Sequence, residues 1–288
     1  IYNVGGGIVN NGIVAIGDSD IAYKKDSLGN YIYDVNGNRI LDAENSKYAV
    51  GLYGEDSAIS NSASGNITVG EGSIGIATKG GSGINDGVIT GTGESTRGMY
   101  TEKGTVINNN IINITGDNAL GFYLKGSTDF SAAAGTTVNV SGQGVTIFNL
   151  NTNPGMIFNN LMTINTSGSG TYTLGSIANG TYYYNDSVAL SGNGAMISAK
   201  NSMVLFDGGA NVSTTGNNNI GIYVDGIYTL PVLPGFTAGI EAENRGTITL
   251  NNSSAGLYAI GGTSAYNNGG VISVGNDSTA IYATGSTS

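Results

Sequence analysis

The chain contains no cysteine and no histidine. The first absence excludes disulfides and thiolate chemistry; the second excludes His-dependent triads and His metal sites. Proline is scarce, with 3 residues against 49 glycines in 288, which argues against a collagen-like or Pro-rich low-complexity chain. Charge is sparse and one-sided: 10 basic and 20 acidic residues give a net −10. Polyanion binding needs clustered Lys or Arg, so nucleic acid and anionic lipid are poor partners for this chain. No run approaches the ~18 apolar residues of a membrane-spanning helix. The first residues carry no basic, apolar leader pattern. Both ends lie inside patterned sequence, so a piece of a longer protein is expected.

Hydrophobic residues make up 39% of the chain, enough for a packed core. The abundance of Gly and Asn, residues that tolerate positive φ, points to many short strands joined by tight turns. One pattern recurs throughout: two alternating apolar positions, a turn, a small residue, then an apolar–Tyr pair. "NRGTITLNNSSAGLYA" shows it at Asn244–Ala259, "SGNITVGEGSIGIA" at Ser64–Ala77 and "NIINITGDNALGFY" at Asn110–Tyr123. Aligning the small residue gives Gly51, Gly75, Gly98, Gly121, Thr146, Thr173, Met196, Gly221, Gly256 and Ala280. Their spacings are 24, 23, 23, 25, 27, 23, 25, 35 and 24.

Alternation within each unit is strand periodicity, and no stretch holds helical spacing. The period excludes the common helical repeats, and the Leu ladder of leucine-rich repeats is missing. The expected fold is therefore all-β: a right-handed parallel β-helix of about 23–25 residues per coil. About ten or eleven such coils would make a rod on the order of 50 Å long. In-register stacking would put Val14, Ile67, Ile89, Ile112, Val138, Met162, Val188, Val212, Ile248 and Ile272 in one inner ladder. Asn10, Asn61, Asn85, Asn108, Asn244 and Asn267 recur just before the next strand. These are expected to stack at a turn and bond one another and the backbone.

Two excursions break the period. Lys24–Lys47, "KKDSLGNYIYDVNGNRILDAENSK", holds four of the ten basic residues, Lys24, Lys25, Arg39 and Lys47. Its "YIYDVNGNRI" reads as a hairpin turning at Asn36-Gly37. Val224–Ala238, "VDGIYTLPVLPGFTA", contains Pro231 and Pro234 and a run of apolar side chains. It is expected to project from the rod as a loop and either pack on its side or offer a contact patch. The candidate partner-binding residues are Lys24, Lys25, Tyr31, Tyr33 and Arg39 in the first excursion, with Tyr228, Leu230, Leu233 and Phe236 in the second.

Catalytic and ligand motifs are not supported. "GEGSIG" at Gly70–Gly75 matches a dinucleotide glycine pattern, but no helix follows to face a pyrophosphate. Asp34–Asn38 lacks the phased Gly and distant Glu of a calcium loop. No paired carboxylates suggest the acid/base work of a polysaccharide-cleaving enzyme. No metal or cofactor is expected. Asn-x-Ser/Thr triplets arise from the repeat itself.

The "NxGxIxVxGxxSxGIY" grammar, from "VNNGIVAIGDSDIAY" to "VGNDSTAIYATG", resembles the passenger domains of bacterial type V autotransporters and filamentous-haemagglutinin-like surface adhesins. That resemblance implies export across the bacterial outer membrane and display at the cell surface, with the parent anchored by a barrel absent from this sequence. It implies a segment without chemistry of its own that attaches to a host-cell or bacterial surface protein or glycan. The side of the rod and the two excursions would make the contacts. Two alternatives stand beside this reading: a β-helix polysaccharide-processing enzyme, and a purely structural stalk that spaces a distal binding domain.

Overall fold

A computed structural model of the chain describes residues 1–33, 40, 42, 45–126, 128–151, 155–158, 162–167, 170–229 and 234–285. Among them there is no helix, and parallel strands stack as a β-solenoid. Each round contributes one strand to each of three faces. The first face is an unbroken eleven-stranded sheet running from Tyr2–Val4 to Thr279–Ala283. The second face holds two five-stranded sheets, from Gly7–Asn10 to Asp129–Ala132 and from Gly155–Phe158 to Ala265–Asn267. The third holds a six-stranded sheet, Ile13–Ile16 to Thr163–Thr166, and a four-stranded one, Ser187–Leu190 to Val271–Val274.

The corners explain the composition. The residue that follows a first-face strand adopts positive φ at Asp56, Gly80, Lys103, Gly126, Asn179, Asn201, Gly226 and Gly261. Only Gly, and to a lesser degree Asn and Asp, takes that conformation cheaply, so the corner returns these residue classes in every one of these rounds but that of Lys103.

Inside the tube, strand alternation delivers the expected apolar ladder. Val14, Ile67, Ile89, Ile112 and Val138 pair in sequence, as do Val188, Val212, Ile248 and Ile272. One rung differs from expectation: Val138 pairs with Ile164, two residues beyond Met162, which is buried elsewhere in the core.

The small-residue row is also corrected in the middle of the tube. Leu120 pairs with Thr146, and Thr146 with Thr173, so Gly121 stands over Ile147 and Leu174 rather than over those threonines. The reason is space. A Cβ on Gly75 would lie 2.7 Å from Gly98 O and 3.0 Å from Ile89 Cγ2, because the third-face isoleucine reaches across to cover the glycine. In the longer rounds that follow Gly121, the wider section is filled by buried Ile147 and Leu174 and by Phe122 stacked 5.1 Å from Phe148.

The asparagine ladder is present in two blocks. Asn10 Nδ2 donates to Asn61 Oδ1 at 2.8 Å, Asn61 to Asn85 at 2.9 Å, and Asn85 to Asn108 at 2.8 Å. Asn244 donates to Asn267 at 2.8 Å. Between the blocks the same row carries Ala132, Tyr184 and Phe206, and the interior there is aromatic.

Candidate partner-binding surfaces

The first excursion leaves the solenoid through a neck at Asp20 and Lys47. Their backbones exchange hydrogen bonds of 3.0 and 2.9 Å. Beyond the neck, three described backbone segments meet. Lys24 N donates to Ile40 O at 2.8 Å, Ile40 N to Ile32 O at 2.9 Å, and Ile32 N to Lys24 O at 3.0 Å. Three segments thus close a ring, and the residues that close it are spaced by eight. The sequence carried that signal unread: "DSLGNYIY", "DVNGNRIL" and "DAENSKYA" begin at Asp26, Asp34 and Asp42.

Asp26 nucleates the first of these turns, its Oδ1 accepting from Leu28 N and Asn30 N at 2.9 Å each. Hydrogen bonds from the Asn30 backbone and side chain hold the Asp26 carboxyl below its ordinary value. Asp42 repeats the arrangement with Asn45 Nδ2 at 2.7 Å.

The ring brings Lys25 and Tyr31 together: Lys25 Nζ lies 4.8 Å from the Tyr31 ring centroid, a cation–π contact. Tyr23 meets the Tyr31 ring edge-on at 6.2 Å. Lys24 is exposed beside them. Tyr31, Tyr33 and Leu28 keep 41%, 55% and 84% of their surface in solvent. Arg39 and the Asn36-Gly37 turn lie outside the described residues, as do Leu230 and Leu233 of the second excursion.

The second excursion is clamped to the second face. The fully buried Glu243 carboxylate accepts from Thr237 N at 3.1 Å, Thr237 Oγ1 at 2.9 Å, Arg245 Nε at 2.8 Å and Asn268 Nδ2 at 2.8 Å. Arg245 Nη2 also donates to Gly235 O at 2.7 Å, and its Nη1 stands 3.8 Å from Asp207 Oδ1. Tyr183 donates its hydroxyl to Asp207. Burial by itself would push the Glu243 carboxyl up, but the hydrogen bonds from Asn268, Thr237 and Arg245 outweigh it and hold the group low.

Tyr228 is only 8% exposed and anchors this excursion instead of presenting itself. Phe236 is half-buried, and Ile227 is open to solvent. Among the described residues of this excursion, Tyr228 and Phe236 are packed and Ile227 is not.

These two excursions do not form one site. Their home rounds, at Val50–Glu55 and Ile220–Asp225, are seven rungs apart in the first sheet, roughly 34 Å along the axis at ~4.8 Å per rung.

The recurring tyrosine of the apolar–Tyr pair forms a row on the side of the rod. Tyr2, Tyr53, Tyr100, Tyr123, Tyr223, Tyr258 and Tyr282 share one outer row of the first sheet. It is interrupted by Ala77 and by Asn149, Ser176 and Ser198. Burial, then the Glu102 charge, pushes the Tyr100 phenol up to about 12. Two positions along the strand, Glu55, Lys79, Glu102 and Lys125 alternate in sign, with pairs at 3.0 and 3.4 Å. Among the described residues, no three acidic side chains gather as a metal site would require. Comparison with protein-family models, with curated proteins and with solved structures returned no match for this chain.

Proposed function

We propose that this chain is a cell-surface adhesin segment in which a β-solenoid rod displays a binding head, the excursion between Asp20 and Lys47. One observation carries the proposal. An eight-residue repeat closes on itself through the Lys24–Ile32–Ile40 ring and holds Lys25, Leu28, Tyr31 and Tyr33 in solvent. A tolerated insertion has no need of such a frame, whereas a contact surface gains from side chains fixed before binding. The partner is a protein or glycan at a host-cell or bacterial surface, met outside the cell after export, with the parent chain anchored in the outer membrane. The clamped second excursion is a packing element in this reading, with Ile227 open to solvent among its described residues.

A stalk reading competes, and the uninterrupted eleven-stranded sheet favours it, since a continuous ladder is what a spacer needs. Deletion of residues 21–46, which leaves the Asp20–Lys47 neck, separates the two. Attachment of bacteria displaying the deleted protein should fall to background, while deletion of residues 227–240 should have a small effect. Attachment unchanged by both deletions would overturn the adhesin reading and leave the stalk.

A further inference from the structure

The outer tyrosine row of the first sheet is a chemical feature as well as a packing one. In-register pairing places Tyr223 beside Tyr258 and Tyr258 beside Tyr282. The rings of Tyr258 and Tyr282 stack with centroids 4.7 Å apart and planes 20° off parallel. Those of Tyr223 and Tyr258 stack at 5.7 Å and 20°. Their backbones are fixed at the inter-strand spacing of ~4.8 Å, so the rings cannot drift apart without breaking the ladder. Tyr282 is 42% exposed and Tyr223 and Tyr258 are half-buried, which leaves the row open to an oxidant from solvent. The chain has no cysteine, so disulfides cannot link one coil to the next.

We propose that Tyr258 and Tyr282, with Tyr223 beside Tyr258, form an oxidative cross-linking site that hydrogen peroxide, used by a haem peroxidase, converts to dityrosine between neighbouring coils. Each phenol loses one electron and its hydroxyl proton to give a phenoxyl radical. The two radicals join through one ring carbon ortho to each oxygen. As the rings regain aromaticity, the ortho hydrogens move to the oxygens. Two tyrosines and one hydrogen peroxide give one dityrosine and two waters. The link closes a 24-residue loop between Tyr258 and Tyr282, or a 35-residue loop between Tyr223 and Tyr258. It joins adjacent rungs covalently. Tyr266 is similarly exposed, at 44%, but its register partner is Glu243, so exposure without ring pairing provides an internal control.

The experiment treats the dilute, folded chain with horseradish-type peroxidase and hydrogen peroxide, then reads dityrosine fluorescence and maps cross-linked peptides by mass. The expected product is a monomer lighter by two hydrogens for each link formed, with Tyr258–Tyr282 or Tyr223–Tyr258 as the linked pair. Tyr282→Phe should lose the first link and keep the second, and Tyr258→Phe should lose both. Phenylalanine preserves the stacked ring, and an unchanged circular dichroism spectrum verifies that each variant folds. A Tyr2–Tyr53 link, whose rings stack at 5.3 Å in the same row, follows from the same geometry and is mapped separately. Dityrosine that forms only between molecules, maps chiefly to Tyr266 or Tyr33, forms equally in urea, or still maps to Tyr223 or Tyr282 in Tyr258→Phe would overturn the proposal. The same holds if no dityrosine forms at all.

Discussion

The side-chain amide of Asn61 donates to Asn85 Oδ1 at 2.9 Å, and neither residue has any solvent-exposed surface. Asn85 passes the bond on to Asn108 Oδ1 at 2.8 Å. A buried amide left without its partner costs about 1–3 kcal/mol, and Asn85 serves one neighbour on each side. Asn85→Ala is therefore expected to lower stability by about 2–4 kcal/mol, read as a drop in the urea midpoint. Asn10, 7% exposed, bonds one ladder amide, Asn61, and the Gly12 backbone, so Asn10→Ala should cost less than Asn85→Ala. Equal losses for the two would show that the amides act singly and not as a chain.

The glycine row makes the opposite demand. On Gly98 a Cβ would stand 2.7 Å from Gly121 O and 3.2 Å from Ile112 Cγ2. Both neighbours belong to ladders that cannot shift alone. Gly98→Ala should cost about 1–3 kcal/mol as overpacking. Ile147→Ala, in the same row, should cost about 2–5 kcal/mol through a cavity. Thermal unfolding of both variants checks the contrast; a neutral Gly98→Ala would contradict the close approach.

How much of this was legible in the sequence follows from these two rows. The strand alternation that put Ile67, Ile89 and Ile112 inward is a period-two pattern with a strong side-chain signature, so the inner ladder was readable. The recurrence of Asn10, Asn61, Asn85 and Asn108 before a turn was readable for the same reason. The slip from Ile147 to Thr146 arose where glycine gives way to bulky residues, because nothing local marks a widened section. Likewise Met162 and Ile164 are both apolar and two apart, so alternation cannot choose between them; only strand pairing does. The excursion near Lys24 was located, but its ring rests on an eight-residue period overlooked beside the longer one. The clamp at Glu243 joins Thr237, Arg245, Asp207 and Asn268 across the second face, contacts that no local pattern announces.

That clamp carries a pH dependence of definite sign. Glu243 titrates below the ordinary 4.5 in the folded chain. A depressed carboxyl contributes stability that is present above its unfolded value and is lost as pH falls through the folded one. Amides around Thr237 should stay protected from hydrogen exchange at pH 5 and above, and lose protection on acidification below about 4.5. Glu243→Gln should expose them at every pH, because the neutral amide cannot hold Arg245 in the same way. The charged groups facing the carboxylate, Arg245 and beyond it Asp207, stay in place in that variant, so the readout isolates Glu243. Protection independent of pH in the natural chain would rule out the carboxylate as the fastener.

Lys103 occupies the left-handed corner at φ 57°, the position that Asn179 and Asn201 fill in later rounds at 58° and 47°. A side chain without a short polar group costs roughly 1–2 kcal/mol there, whereas Asn tolerates the conformation by bonding locally. Among the described residues Lys103 makes no ion pair that would offset this: its neighbours Glu102 and Lys125 pair with each other at 3.4 Å. Lys103→Asn is therefore expected to stabilise the solenoid by about 0.5–1 kcal/mol, seen as a higher unfolding temperature with an unchanged denaturant slope. A lower unfolding temperature would mean that the Lys103 stem, whose Cγ lies 3.1 Å from a Cβ placed on Gly126, contributes more by covering the next corner than its backbone strain costs.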